Sequence, residues 1–196
     1  MLGRTSGFAL LCIACLLVLV GCGGFGQVNQ GRVVAYDAAK GLVTLIPEAR
    51  GQEPSAMKHG VPPPVTIQVP DDPGQMGPAP KSGRLISLDS QNRKVVVFDP
   101  ATQSFESIAF KLVGQRDGVF EDDPALKGAK FPKIDRNRKT ITVYVPQQRQ
   151  LVTFAVPDEY FDMPADTWAV GDEIRYYYKD PHKALRLMNV TRTGVL

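Results

Sequence analysis

Gly83-Arg84-Leu85-Ile86-Ser87-Leu88-Asp89 and, beyond the polar Ser90-Gln91-Asn92-Arg93, Val95-Val96-Val97-Phe98-Asp99-Pro100 form the stretch that decides the fold class. Both apolar runs are short, rich in β-branched residues and bounded by turn formers, which is the pattern of strands. Asp89 opens the connection because its carboxylate can accept from backbone amides two residues on. Pro100 closes the second run, since proline donates no ladder hydrogen bond. A third apolar run, Phe105 to Phe110, follows. The unit reads as a hairpin plus a third strand.

The same unit recurs on either side. Upstream, Gly31-Arg32-Val33-Val34-Ala35-Tyr36-Asp37 leads to Leu42-Val43-Thr44-Leu45-Ile46-Pro47. Downstream, Ala129-Lys130-Phe131-Pro132-Lys133-Ile134-Asp135 leads to Thr140-Ile141-Thr142-Val143-Tyr144-Val145-Pro146. The aspartate follows the opening small residue by six positions each time, and the proline follows the aspartate by 10, 11 and 11. Third runs lie at Val65 to Val69 and Leu151 to Val156. These agreeing offsets predict an internal repeat. They also predict that Asp37, Asp89 and Asp135 each accept a bond from an amide one to three residues later.

Three polar, Gly- and Pro-containing stretches interrupt the units. Arg50 to Pro64 splits the first, Pro70 to Ser82 reads as an exposed hinge, and Gln115 to Ala129 is a loop carrying Glu121-Asp122-Asp123. After the third unit, alternation along Glu173-Ile174-Arg175-Tyr176-Tyr177-Tyr178 puts Ile174, Tyr176 and Tyr178 on one face and Glu173, Arg175 and Tyr177 on the other. A last strand runs from Ala184 to Thr191. No apolar stripe at helical spacing is long enough for a substantial helix. The expected fold is all-β: repeated hairpin-plus-strand units forming one or two small barrels after an N-terminal signal segment. The segment from Ile134 to Val190, with its Asp-opened hairpin, Val170-Gly171-Asp172 turn and closing strands, resembles a small OB-like or SH3-like barrel. The expected divisions are a signal over 1–21, a flexible tether over 22–30, N-terminal β units over 31–113 with a linker at 70–82, and a C-terminal barrel over 129–193, the more autonomous part.

The chain has 196 residues, and its 23 basic residues against 20 acidic ones leave it nearly balanced, with no charge pattern of a nucleic-acid binder. Cys12 and Cys15 fall inside the apolar run Phe8 to Val20, where cysteine is a small hydrophobe. That run has 13 residues, too short for the roughly 20 that span a bilayer and of the length of a signal-peptide core. Removing it leaves Cys22 as the sole cysteine, so no disulfide or thiolate site is expected. His59 and His182 lie in separate loops, and no phosphate-loop, dinucleotide or nucleophile-elbow motif is present. No cofactor and no metal are expected.

Leu19-Val20-Gly21-Cys22 resembles the lipobox of bacterial lipoproteins. The resemblance implies that Cys22 receives a diacylglycerol, becomes the N-terminus and anchors the protein in the cell envelope. In that family an aspartate after the cysteine retains the protein in the inner membrane of many Gram-negative bacteria. Gly23 stands there instead, which implies the periplasmic face of the outer membrane. The whole chain is similar to small lipoproteins of uncharacterised function found in sulfate-reducing bacteria, and that similarity implies no activity.

Three groups are candidate sites. Lys130, Lys133, Arg136, Arg138 and Lys139 cluster around one hairpin and suit anionic headgroups or the acidic patch of a protein partner. Tyr177, opposite the core face of its strand, is a candidate surface aromatic. Asp158, Glu159, Asp162 and Asp166 form the densest acidic group, which suits a solvated loop, calcium or the carboxylate pair of a glycoside hydrolase. The expected role is non-enzymatic: an envelope accessory or assembly factor acting by binding, with a hydrolase built on the group near Asp158 as the alternative. Replacing Cys22 by serine is expected to abolish membrane association, because nothing else in the mature chain can insert. A serine variant that pellets with membranes after a high-salt wash would contradict the lipobox reading.

Overall fold

The computed structural model describes residues 25–48, 55 and 57–193. The signal segment and Cys22 lie outside the described residues. Among the described residues there are twelve strands and two single-turn helices, and the fold is all-β. The strands are β1 (Gln27–Asp37), β2 (Leu42–Pro47), β3 (Val65–Gln68), β4 (Leu85–Asp89), β5 (Lys94–Asp99), β6 (Ser104–Ala109), β7 (Lys111–Arg116), β8 (Lys133–Asp135), β9 (Thr140–Val145), β10 (Gln150–Ala155), β11 (Glu173–Asp180) and β12 (Lys183–Asn189). The helices are α1 (Asp158–Phe161) and α2 (Val190–Thr193).

Each expected unit is a three-stranded antiparallel meander, and the three occupy different sheets. β1-β2-β3 lie in a closed five-stranded barrel, β4-β5-β6 make a sheet of their own, and β8-β9-β10 join β7 in a four-stranded sheet. Their first turns share one geometry. Asp37 Oδ1 accepts from the amides of Ala39 and Lys40 at 3.1 Å each, Asp89 Oδ1 from Gln91 and Asn92 at 3.0 and 2.8 Å, and Asp135 Oδ1 from Asn137 and Arg138 at 3.0 Å each. The fourth residue after each aspartate is left-handed: Gly41, Arg93 and Lys139 have φ of 64, 56 and 51°. Asp99 repeats the device in the β5–β6 turn, with Gln103 at φ 52°.

β5 explains the layering. Its four residues Val95 to Phe98 are all buried, so both of its faces are covered. Val95 and Val97 enter a core shared with the four-stranded sheet, including Val143, Val152, Phe154 and Trp168. Val96 and Phe98 face the other way, onto Val34 and Ile46 of the barrel wall. The molecule is therefore barrel, middle sheet and outer sheet in succession.

The pairing of the chain ends departs from the expected boundaries. The barrel order is β1-β11-β12-β3-β2, so the closing strands serve the first unit and not the third. The segment 129–193 is not a self-contained barrel, because β11 pairs with β1 over Gln27↔Tyr178 to Arg32↔Glu173. β1 is long enough to serve β11 with its first half and β2 with its second, with Gly31 in both ladders. A Cβ at Gly31 would run into Ile46 O and the Leu45 side chain, so this corner requires glycine. Within the stretch 22–30 expected as tether, Gln27 to Gln30 are strand. Residues 70–82 are no free hinge either: Gly77 N donates to Leu187 O at 2.8 Å and Lys81 N to Asp172 Oδ2 at 2.9 Å, strapping them along the barrel. Inside the barrel, Ile174 and Tyr176 are buried and Tyr178 packs against the same cluster, as alternation required.

The aspartate turns carry an acid signature. The amide of Lys40 holds the Asp37 carboxyl below its ordinary value of 3.8, the amide of Asn92 does so for Asp89, and the Thr102 hydroxyl for Asp99. A lowered folded pKa favours the ionised, folded form, so this stabilisation is complete above 3.8 and disappears as pH falls through the lower folded values. The urea midpoint is expected to hold down to about pH 5 and to decline below the ordinary carboxylate range, less steeply in Asp89→Asn. A midpoint that is flat or rising on acidification would contradict this account of the turns.

Candidate functional site

The basic hairpin and the acidic group, separate candidates in sequence, meet in space. Lys139 Nζ lies 2.7 Å from Asp158 Oδ1, Arg136 3.7 Å from Asp162, and Arg138 4.0 Å from Asp135. Lys133 sits 5.0 Å from the centre of the Phe131 ring, and Lys130 is exposed. Asp166 pairs with Arg84 at 2.9 Å. Asp158, Asp162 and Asp166 thus each face a different cation. Exposed pairs of this kind contribute about 0 to 1 kcal/mol, so these paired charges remain solvated. Tyr177 is not part of it. It lies on β11 of the barrel, half-buried, with its ring against the Gly26 backbone so closely that a Cβ there would collide with it.

The better site grows from the Val170-Gly171-Asp172 turn, where the chain leaves the sandwich core at Trp168 and enters the barrel at Ile174. Three backbone segments cross there. Val33 N donates to Asp172 O at 2.9 Å, Asp172 N to Lys81 O at 2.8 Å, and Gly83 N to Val33 O at 3.1 Å. Leu85 N donates to Ala169 O at 3.0 Å. A Cβ on Gly171 would strike Val33 O, and one on Gly83 would strike the 169–171 backbone, so both positions require glycine for close approach. The Asp172 carboxylate is 7% exposed and accepts from Lys81 N, Asn189 Nδ2 at 2.8 Å and Arg192 Nε at 2.9 Å.

Beside this crossing a cleft of about 650 Å³ opens between the barrel end and the outer sheet. Phe120, Phe131 and Tyr144 line the sheet side, Val170, Gly171 and Val190 the barrel side, and Lys81, Glu121, Arg149 and Glu173 also line it. The loop over 117–128 is fixed by Val119, which is fully buried, donates its amide to Arg149 O at 2.8 Å and accepts from Tyr144 Oη at 3.1 Å. That anchor holds Phe120 out at 51% exposure, with the Arg149 guanidinium 4.6 Å from its ring centre. Burial, with Glu121 second, raises the Tyr144 phenol above 10.0, so it remains a neutral donor. The dimensions and mixture of aromatic walls with a few charges are those of a ligand site, and such sites favour junctions between packed layers. Neither the cleft nor its aromatic wall was among the sequence candidates. The one available signal was an isolated Val119-Phe120 in a polar loop.

A smaller cavity of about 260 Å³ lies between barrel and middle sheet against Arg32. Arg32 Nη1 donates to Ile86 O at 2.6 Å, and burial lowers its pKa while the Glu173 charge opposes that shift. Its place is structural, tying β1 to the middle sheet. Among the described residues, no group of three or more His, Cys, Asp or Glu is arranged to hold a metal ion, and no helix is long and apolar enough to cross a membrane.

Residues 24–196 match the model of a family described as "Domain of unknown function (DUF4881)". No curated protein and no solved structure matches the chain.

Proposed function

The chain belongs to that DUF4881 family, and on this premise we propose that it is a lipid-anchored protein of the bacterial cell envelope that acts by binding a protein partner through the aromatic cleft. The cleft carries this reading. It is preformed by backbone hydrogen bonds at the Gly171 crossing and presents Phe120, Phe131 and Tyr144 with Arg149, residue types that dominate binding energy at protein interfaces. Its walls come from opposite layers, so an inserted side chain contacts both at once. The anchor is Cys22, attached by the lipid that the Leu19 to Cys22 motif implies, and Gly23 after it favours the outer membrane. The hydrolase alternative gains no support, because Asp158, Asp162 and Asp166 are each engaged by a separate cation.

The test is affinity capture on the lipidated protein from detergent-solubilised membranes, followed by binding measurement with the recovered partner. Phe120→Ala and Phe131→Ala are each expected to weaken binding by about 2 kcal/mol, roughly 30-fold, the usual effect of truncating an aromatic anchor. Arg138→Glu, on the exposed hairpin, is expected to leave it within about twofold, as for a solvated surface charge. Binding that survives both cleft substitutions and is lost with Arg138→Glu would move the site to the basic hairpin.

A further inference from the structure

The exit of the chain from the barrel fixes which face of the molecule meets the lipid. Gly26 lies against the Tyr177 ring and Gln27 accepts from Tyr178 Oη at 2.8 Å, so the backbone is held to β11 from residue 26 onward. Between Cys22 and Phe25 the chain advances three residues, which at full extension reaches about 10 Å. Phe25 is 92% exposed at the start of β1, beside the β11–β12 hairpin. A lipid on Cys22 therefore holds Phe25 within the depth of a headgroup layer.

The surface around that exit has the composition to stay there. Val28, Tyr177 and Arg186 form one row across β1, β11 and β12, and Gln30, Arg175 and Met188 form the next. Val28 is 64% and Leu185 43% exposed, and with Phe25 they account for three of the five large hydrophobic side chains most exposed among the described residues. Arg175, Lys179 and Arg186 are exposed around them, and β12 contains no acidic residue. At this end Asp180 is engaged in the hairpin turn through the His182 amide at 2.9 Å, and Asp71 is paired with Lys183 at 2.6 Å. Apolar side chains at an interface flanked by cations are the pattern of a membrane-apposed surface.

We propose that the outer face of β1, β11 and β12, led by Phe25, Val28 and Leu185 and flanked by Lys179, Arg175 and Arg186, docks flat on an anionic lipid surface. The proposal rests on the reading of Cys22 as the lipidated residue. Docking turns the barrel into a foot that sets the orientation of the middle and outer sheets. Tyr177 then acts indirectly, by seating Gly26 so that Phe25 emerges on this face.

Depth-resolved fluorescence quenching tests it. The full lipidated protein is reconstituted into phosphatidylethanolamine–phosphatidylglycerol vesicles carrying a headgroup-level nitroxide lipid. Tryptophan is introduced singly as Phe25→Trp, Val28→Trp or, on the exposed edge strand β7, Val113→Trp; native Trp168 is fully buried and supplies a constant background. Vesicle flotation in the same samples reads the anchor separately. Quenching is expected at residues 25 and 28 but not at 113, and most of the quenching at 28 is expected to be lost in Lys179→Glu/Arg186→Glu while flotation persists. Floating protein with residue 28 unquenched, or with 28 and 113 quenched alike, overturns the docked orientation and leaves the anchor standing. Protein that does not float overturns the anchor, and the docking proposal with it.

Discussion

Asp172 receives the middle of the chain through Lys81, its end through Asn189 and Arg192, and passes its own carbonyl to Val33 near the beginning. The barrel depends on this crossing because its strands come from the two extremes of the sequence. β1 to β3 cannot close alone, and β12 meets β3 through a single register pair, Lys183↔Gln68. Three strands without a cover are marginal in water. The crossing brings the last two strands to the first three, and Gly171 and Gly83 let three backbones approach where side chains would hold them apart.

The same crossing couples the layers. Trp168, edge-on to Phe154 at 5.9 Å, ends the outer core three residues before Gly171, and Ile174 opens the barrel core three residues after it. β5 supplies the other coupling, with Val95 and Val97 on one side and Val96 and Phe98 on the other. The barrel is thereby tied to the two stacked sheets, and the cleft opens at the joint between them.

Local features of this structure were legible in sequence and long-range ones were not. The turns at Asp37, Asp89 and Asp135 are set by a carboxylate and amides at most three residues away, so spacing alone revealed them. The inward set Ile174, Tyr176 and Tyr178 followed from the two-residue period of a strand. The pairing of β1 with β11 joins residues about 140 positions apart, as in Gly31↔Ile174, and no local pattern specifies it. The run Val95 to Phe98 did carry a clue: four consecutive buried residues mark a strand covered on both faces, which a lone small barrel does not contain. The acidic partners of Lys139 and Arg136 on the basic hairpin, Asp158 and Asp162, lie in and beside α1, and no local pattern joined them to it. Phe120, Phe131 and Tyr144 become one wall only after the loop over 117–128 is pinned at Val119.

The central claim is that barrel and stacked sheets are one cooperative body joined at Asp172. Urea unfolding of Asp172→Ala tests it most directly, following Trp168 emission for the outer core and amide hydrogen exchange of β1 and β11 for the barrel. Leaving the buried partners of Asp172 unsatisfied is expected to cost about 3 kcal/mol and to shift both transitions together to lower urea. Two separated transitions, with the Trp168 signal unmoved while the barrel opens early, would contradict the joint as the element that unites the fold.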